Sequence, residues 1–117
     1  MANYRELVVW QKSMVLVQEV YKMIKLLPKE ELFSLFAQLR RAVVSIPSNI
    51  AEGHARGSDR DFARFLTIAQ GSRAEVETQL EICIRLGYIP ESQAEEVFYI
   101  SNEVERMLYS MIQKLSA

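Results

Sequence analysis

The pattern of apolar and polar residues along the chain predicts four helices. In four successive segments, apolar or small residues recur at steps of three and four residues, which places each set on one face of a helix. This spacing is typical of helices that pack side by side with interdigitating side chains. The four stripes are Trp10, Met14, Val17, Tyr21 and Ile24; Leu32, Phe36, Leu39, Val43, Ile46, Ile50 and Gly53; Phe62, Phe65, Ala69, Ser72, Val76, Leu80 and Cys83; and Ala94, Val97, Ser101, Val104, Leu108, Met111 and Leu115.

Residues that begin or end helices lie between the stripes. Pro28 follows the first stripe and suits the first turn of a new helix, and Gly57 suits the left-handed residue that ends the second helix. Ser58, with Asp61 three residues later, predicts the N-cap of the third helix. Because such short connections make consecutive helices antiparallel, the chain is predicted to be all-α. The predicted fold is an antiparallel, up-down-up-down four-helix bundle that forms a single domain over residues 1–117.

The second predicted helix contains the stretch "RRAVVSIPSNIAEG", residues 40–53, with a proline and small polar residues near its centre. Pro47 has no N–H to donate to the carbonyl of Val43, and its ring crowds the preceding turn, so a kink in the second helix is predicted. Ser45 and Ser48 can hydrogen-bond backbone groups that the proline leaves free.

The third predicted helix has a matching polar insertion, "IAQGSRAEVETQ". Gly71 and Ser72 lie there at positions where the apolar spacing predicts larger side chains. Small residues on two helices allow a close approach, across which polar side chains can pair. Since polar groups buried without partners are costly, we predict a hydrogen-bonded network that fixes helix register; a ligand or catalytic pocket is the alternative. The predicted members are Asn49, Glu52, Ser72 and Glu75, with Arg40, Arg41 or Arg64 as neutralising partners.

Two of the helices carry more apolar residues than one stripe requires. A second apolar face left in water favours association, so homo-oligomerisation is predicted, and a wide core that covers both faces is the alternative. The additional positions are Val8, Val9, Val15 and Leu16 in the first helix and Phe98, Tyr99, Ile100, Met107 and Ile112 in the fourth.

Composition and charge narrow the possible partners. The 117 residues are 50% apolar and 25% charged, which is typical of a globular domain. The net charge of −1 is the sum of +1 over residues 1–36, +3 over residues 37–74 and −5 over residues 75–117. This balance disfavours a generic nucleic-acid binder, but arginines of the middle segment can form a shared basic surface that neutralises phosphates. These candidate RNA-binding residues are Arg40, Arg41, Arg56, Arg60 and Arg64, with an ordinary solvated surface as the alternative.

Residues suited to catalysis or metal binding are scarce. His54 is the only histidine, Cys83 is the only cysteine, and the Glu-x-x-His pair of di-iron bundles does not occur. We therefore predict no catalytic residue, no metal and no cofactor, in a protein that is not an enzyme. The lone cysteine suits a reducing compartment, and no apolar run approaches the roughly 18 residues of a membrane span. The predicted location is the cytoplasm, with no membrane partner.

Several motifs together resemble one known family. "QLRRAVVSIPSNIAEG", then "RFLTIAQGSRAEVETQL" and "LGYI", resemble the signature of the bacterial four-helix-bundle proteins called 23S rRNA intervening sequence proteins. The opening "YRELVVWQKSMVLVQEVYKM" and the later "LPKEELFSL" fit as well, so the resemblance spans about residues 4–89. It implies a left-handed up-and-down bundle, commonly assembled as a homopentamer with a central channel, no enzymatic activity and a largely undefined cellular role.

A related protein, the accessory variability determinant of diversity-generating retroelements, is similar in fold. It is a basic pentamer that binds nucleic acid and a reverse transcriptase, whereas the present chain is slightly acidic. Sequence and resemblance together predict a self-associating helical bundle that acts as a binding or scaffold module. RNA is the first candidate partner, and the alternative is a protein–protein adaptor that binds no nucleic acid.

Overall fold

The computed structural model describes residues 3–117 and confirms the predicted all-α four-helix bundle. The described part measures 44 × 24 × 21 Å, and none of its helices combines the length and apolar character needed to cross a bilayer. The predicted single domain also includes residues 1 and 2, which lie outside the described range. The helices are α1 (Val8–Ile24), α2 (Leu35–Ala55), α3 (Asp59–Arg85) and α4 (Glu91–Ser116), with short 3-10 helices at Tyr4–Glu6 and Lys29–Glu31.

Each helix packs against two others, so the four form a ring around one core. α1 contacts α2 and α4, and α3 contacts the same two helices. Contacts between α2 and α3 run in opposite chain directions: Ser45 faces Ser72, whereas Gly53, later in α2, faces Phe65, earlier in α3. Pro47 lies inside α2, and the kink predicted there stays a prediction.

The predicted helix boundaries at Gly57 and Ser58 are confirmed, whereas Pro28 precedes the 3-10 helix Lys29–Glu31 and α2 begins only at Leu35. The Ser58 side chain accepts a hydrogen bond from the Asp61 backbone N–H at 3.1 Å and caps α3. Gly57 and Gly87 have φ of 84° and 78°, a left-handed conformation that side chains with a Cβ avoid. These two glycines reverse the chain after α2 and after α3.

The predicted core stripe is wrong for α1. Its buried face consists of Val9, Ser13, Leu16 and Val20, each one residue before the predicted position, together with Ile24. A shift of one residue rotates the face by about 100°. Because α1 is apolar on two faces, its residue spacing does not determine which of them enters the core. In the other three stripes, the predicted positions within residues 39–53, 65–83 and 94–108 are buried, whereas Leu32 lies before α2 and is 46% exposed.

The close approach of α2 and α3 depends on Gly53 and not on Gly71. A Cβ added at Gly53 would lie 2.6 Å from the Cβ of Phe65, whereas one added at Gly71 would have no neighbour within 4 Å. Gly53 is buried between the two helices, and Gly71 is exposed on the outer side of α3.

Candidate functional site

A hydrogen-bonded cluster joins α2 to α3 beside Pro47. The Asn49 amide nitrogen donates to the Ser45 backbone carbonyl and to the Ser45 hydroxyl, both at 2.8 Å. The Ser45 and Ser72 hydroxyls share a hydrogen bond of 2.9 Å across the two helices. The structure therefore places Asn49 and Ser72 together through Ser45, in a cluster that is polar but carries no charge.

The prediction of a buried network that includes Glu52 and Glu75 requires correction, because both residues are exposed. Glu52 pairs with Arg56 one turn later at 2.8 Å, and Glu75 has no hydrogen bond or ion pair within residues 3–117. Within the described residues, neither forms a hydrogen bond or ion pair with Arg40, Arg41 or Arg64. A carboxylate that stays in water avoids the desolvation that burial would impose, and both positions permit this.

Among residues 3–117, the one buried charged residue is Arg73, which was not among the residues predicted from the sequence. Only 6% of this residue is exposed. Its Nε donates to Gln70 at 2.8 Å, one terminal nitrogen donates to Glu77 at 2.8 Å and to Ser101 at 3.2 Å, and the other donates to Glu105 at 3.4 Å. The Ser101 hydroxyl in turn donates to Glu77 at 2.6 Å.

This Arg73 network connects α3 to α4. It gives hydrogen-bond partners to Nε and to both terminal nitrogens of the guanidinium. Arginine is rarely buried unless it is paired, so the position gave no sign of burial by its residue type. Two features of the sequence indicate it in retrospect: Glu77 lies four residues after Arg73, and Ser101 interrupts the fourth apolar stripe. An arginine paired in this way offers no free acid or base, and its hydrogen bonds link α3 to α4.

The five candidate RNA-binding arginines lie in two groups along α2 and around the turn that follows it. Arg56, Arg60 and Arg64 lie around the α2–α3 turn, where the guanidinium carbons of Arg56 and Arg64 lie 5.0 and 4.6 Å from the centre of the Phe65 ring. Arg64 also lies 3.7 Å from Asp61. Arg60 is exposed and has no ion-pair partner in the described part of the chain.

The other group, Arg40 and Arg41, lies nearer the start of α2. The guanidinium carbon of Arg40 stacks 5.4 Å from the Phe36 ring centre. At 1.5 Å per residue, the sixteen residues from Arg40 to Arg56 correspond to about 24 Å along the helix. Within one chain, no single phosphate can contact both groups.

The surface of α1 and α2 is apolar over a long stretch. Part of it forms a hollow of about 360 Å³, and a neighbouring hollow of about 350 Å³ continues along α1. Met14 and Val44 are 39% and 40% exposed. This surface, here called the α1–α2 face, consists of Trp10, Met14, Val17, Tyr21, Val44 and Pro47.

The remaining reactive side chains are held in structural contacts. The His54 ring packs edge-on against Phe62 at 5.6 Å, and Cys83 is buried, which raises the pKa of its thiol to about 11. At the end of the bundle, Ser34 and Tyr88 donate hydrogen bonds to Glu31 and hold the pKa of its carboxyl below the ordinary value. Across residues 3–117, no three His, Cys, Asp or Glu side chains cluster as metal ligands would.

Comparison with known proteins identifies what the chain resembles. The sequence model of the family described as 23S rRNA-intervening sequence protein matches residues 5–110. The chain is also similar to a crystal structure from Bacteroides thetaiotaomicron VPI-5482, described as a protein with unknown function from the S23 ribosomal protein family. The two share 33% sequence identity and superpose with a TM-score of 0.82, over 90% of this chain and 98% of that one. None of the curated proteins matches significantly.

Proposed function

The chain belongs to the 23S rRNA-intervening sequence protein family, and we propose that it acts as a non-enzymatic, self-associating helical module that binds RNA. The family that the sequence motifs predict is thereby confirmed. The similar protein from Bacteroides is itself described as having unknown function, so the proposal depends on the surfaces of this chain. The five-fold assembly that the resemblance implies is part of the proposal.

The observation that supports the proposal most directly is that apolar residues of the α1–α2 face are exposed. This face spans from Trp10 to Tyr21 along α1, about 16 Å at 1.5 Å per residue, and it continues onto Val44 and Pro47 of α2. Each 100 Å² of apolar surface removed from water contributes about 2.5 kcal/mol, so covering such a face favours association. Met14, Tyr21 and Val44 of this face are exposed, Trp10 and Val17 are half-buried, and Pro47 is buried. Exposed apolar residues grouped in this way are typical of a protein–protein interface.

Light scattering tests self-association directly. We expect the wild-type protein to be oligomeric at about 10 µM, a concentration at which a weak surface contact does not persist. Met14→Glu places a charge in the centre of the α1–α2 face and should yield monomers, and its circular dichroism should stay helical because Met14 is already 39% exposed. Tyr109→Glu, at an exposed position of α4, is the matched control and should leave the assembly intact. A monomeric wild-type protein would contradict the proposal.

RNA binding is proposed from the arginines at the α2–α3 turn. A single copy offers three of them, which is few for nucleic-acid affinity, but an assembly repeats the group in each copy and multiplies weak contacts. Aromatic stacking on Phe65 orients Arg56 and Arg64 without occupying all of their donors.

The test is the salt dependence of RNA affinity, measured by fluorescence anisotropy between about 50 and 200 mM salt. The triple variant Arg56→Ala, Arg60→Ala, Arg64→Ala should bind more weakly, and its logarithmic salt slope should fall by about 0.7–0.9 for each phosphate that the variant no longer neutralises. Removal of Arg85 and Arg106, which lie outside both groups, is the control and should leave the slope unchanged.

The second candidate function is a protein adaptor that binds no nucleic acid. It is favoured by the ion pairs that already engage two of the three arginines, Arg56 with Glu52 and Arg64 with Asp61. Those carboxylates reduce the positive potential that a phosphate would meet. An affinity that does not change with salt, or a triple variant that binds RNA as the wild type does, would favour the adaptor.

A further inference from the structure

A groove of about 630 Å³ lies on the surface between the end of α3 and the start of α4, and it is here called the α3–α4 groove. Ile84 and Phe98 line it and are half-buried, and Tyr99 beside them is 59% exposed. These three side chains form an apolar strip that the bundle leaves partly in water. Along α4 the lining residues extend from Glu91 to Asn102, about 16 Å at 1.5 Å per residue, which is the length of three helical turns.

Three carboxylates flank the apolar strip of the α3–α4 groove. Glu81 lies on the α3 side, and Glu91 and Glu95 lie on the α4 side. All three are exposed, and within residues 3–117 none of them forms an ion pair or a side-chain hydrogen bond. Arg85 is the one basic residue that lines the groove, so three carboxylates against one guanidinium give it a net charge of −2.

The bundle itself gains little from this arrangement of charges. Glu91 lies in the first turn of α4, where the helix dipole favours a negative charge. Glu95 lies one turn later on the same side of α4, and two carboxylates at this spacing repel each other. Positive charge brought into the groove from another molecule would remove this repulsion.

The positions of the carboxylates indicate the chemistry of the occupant. Across residues 3–117 no three acidic, His or Cys side chains converge as ligands of one metal ion, and a groove of net negative charge repels nucleic acid. In a second copy of the chain, Arg56 and Arg64 are already paired with Glu52 and Asp61 and bring little free positive charge. The groove therefore fits a ligand that has several separated positive charges and an apolar side chain between them.

We propose that the α3–α4 groove binds a basic, amphipathic helical segment of another protein. Lysines or arginines one turn apart in this segment pair with Glu91 and Glu95, which lie about 6 Å apart along α4, and a further basic residue pairs with Glu81 on the opposite side. An apolar residue of the segment packs on Phe98 and Tyr99, in the manner of a helix that lies in a groove between two others. This interaction goes beyond the proposed function and depends on neither self-association nor RNA binding.

The test uses a fluorescently labelled, helix-forming synthetic peptide with lysines four residues apart and a tryptophan between them. Its affinity is measured by anisotropy at about 150 mM salt, where charges more than about 8 Å apart are largely screened. Tyr99→Ala keeps the charge of the groove and should bind about tenfold more weakly. The double variant Glu81→Gln, Glu95→Gln should bind about fivefold more weakly, since exposed ion pairs contribute modestly. Its control is Glu6→Gln, Glu75→Gln, which changes the net charge equally at exposed positions outside the groove and should bind as the wild type does.

The outcomes separate the possible occupants. A wild-type protein that does not bind the basic peptide would overturn the inference. So would a Tyr99→Ala protein that binds as tightly as the wild type, because charge alone would then explain the affinity. Circular dichroism and light scattering of Tyr99→Ala should match the wild type, since the side chain is already 59% exposed. A Tyr99→Ala protein that stays helical but loses its assembly would show that a second copy, and not another protein, covers the groove.

Discussion

Replacing Gly53 by alanine should destabilise the bundle even though alanine is the better helix former. Gly53 lies buried in α2 against α3, and the added Cβ would lie 2.6 Å from the Cβ of Phe65 and 3.2 Å from Cδ1 of Phe62. A ring carbon can move by rotation of its side chain, but the Phe65 Cβ is fixed to the backbone. The two helices must therefore separate by about 1 Å to reach ordinary carbon–carbon contact.

The expected magnitude follows from two opposing terms. Alanine gains about 1 kcal/mol over glycine within a helix. Overpacking a well-filled core costs about 1–3 kcal/mol, and the upper end applies because backbone has to move. Separation of α2 and α3 would also stretch the 2.9 Å bond between Ser45 and Ser72. We expect a net loss of about 2 kcal/mol, or a fall in Tm of about 8 °C for a domain of this size.

The assay is urea unfolding followed by circular dichroism at two protein concentrations, so that any contribution of association is seen as a concentration dependence. Gly71→Ala is the matched control, because the same atom is added to the interior of a helix where nothing lies within 4 Å. It should raise the unfolding free energy by about 0.5–1 kcal/mol. If Gly53→Ala proved as stable as the wild type, the close contact between α2 and α3 would not limit the packing of this bundle.

Three further predictions concern the buried and titrating groups. Arg73→Ala should lower the unfolding free energy by about 3 kcal/mol in the same urea assay, because it leaves Glu77 and Ser101 without their charged partner. The control Arg106→Ala, at the surface, should change the unfolding free energy by less than about 0.5 kcal/mol. Since the folded pKa of Glu31 lies below its ordinary value of 4.5, its contribution to stability is present above that pH and is lost as the pH falls through the folded pKa. Tyr88→Phe removes one of the hydrogen bonds that lower the pKa of Glu31, so the variant should lose less stability than the wild type between neutral and acidic pH. An equal loss in both proteins would show that the Tyr88 hydrogen bond does not contribute to the acid sensitivity. The buried Cys83 thiol, with its pKa raised from 9.0 to about 11, should react with a thiol reagent at least about 100-fold more slowly in the native protein than in denaturant.

The sequence predicted the core faces of α2, α3 and α4 but not that of α1, and the difference has a simple cause. In α2, polar residues such as Arg40 and Gln38 flank the apolar stripe, so only one face can be buried. In α1, Val9 and Trp10 begin two apolar faces about 100° apart. Only the positions of α2 and α4 determine that the face with the smaller residues, including Ser13, enters the core.

The candidate site was predicted in part for a similar reason. The polar insertions around Pro47 and Ser72 indicated where α2 and α3 exchange hydrogen bonds, and Asn49 and Ser72 do lie in that cluster. Glu52 lies outside it because an exposed partner, Arg56, is available one turn away. The burial of Arg73 was not predicted, because Glu77 and Ser101 indicate it only once α3 and α4 are known to meet, and Ser101 and Glu105 are about thirty residues distant in the chain.

Taken alone, the sequence determined what is local: the helical period, the glycine and serine at the turn between α2 and α3, and the family to which the chain belongs. The tertiary structure decided which of two apolar faces of α1 is buried, which charge is taken into the interior, and which glycine carries a close contact. These outcomes depend on helices that meet only after folding, because the free energy of burying a side chain is set by the neighbours that surround it.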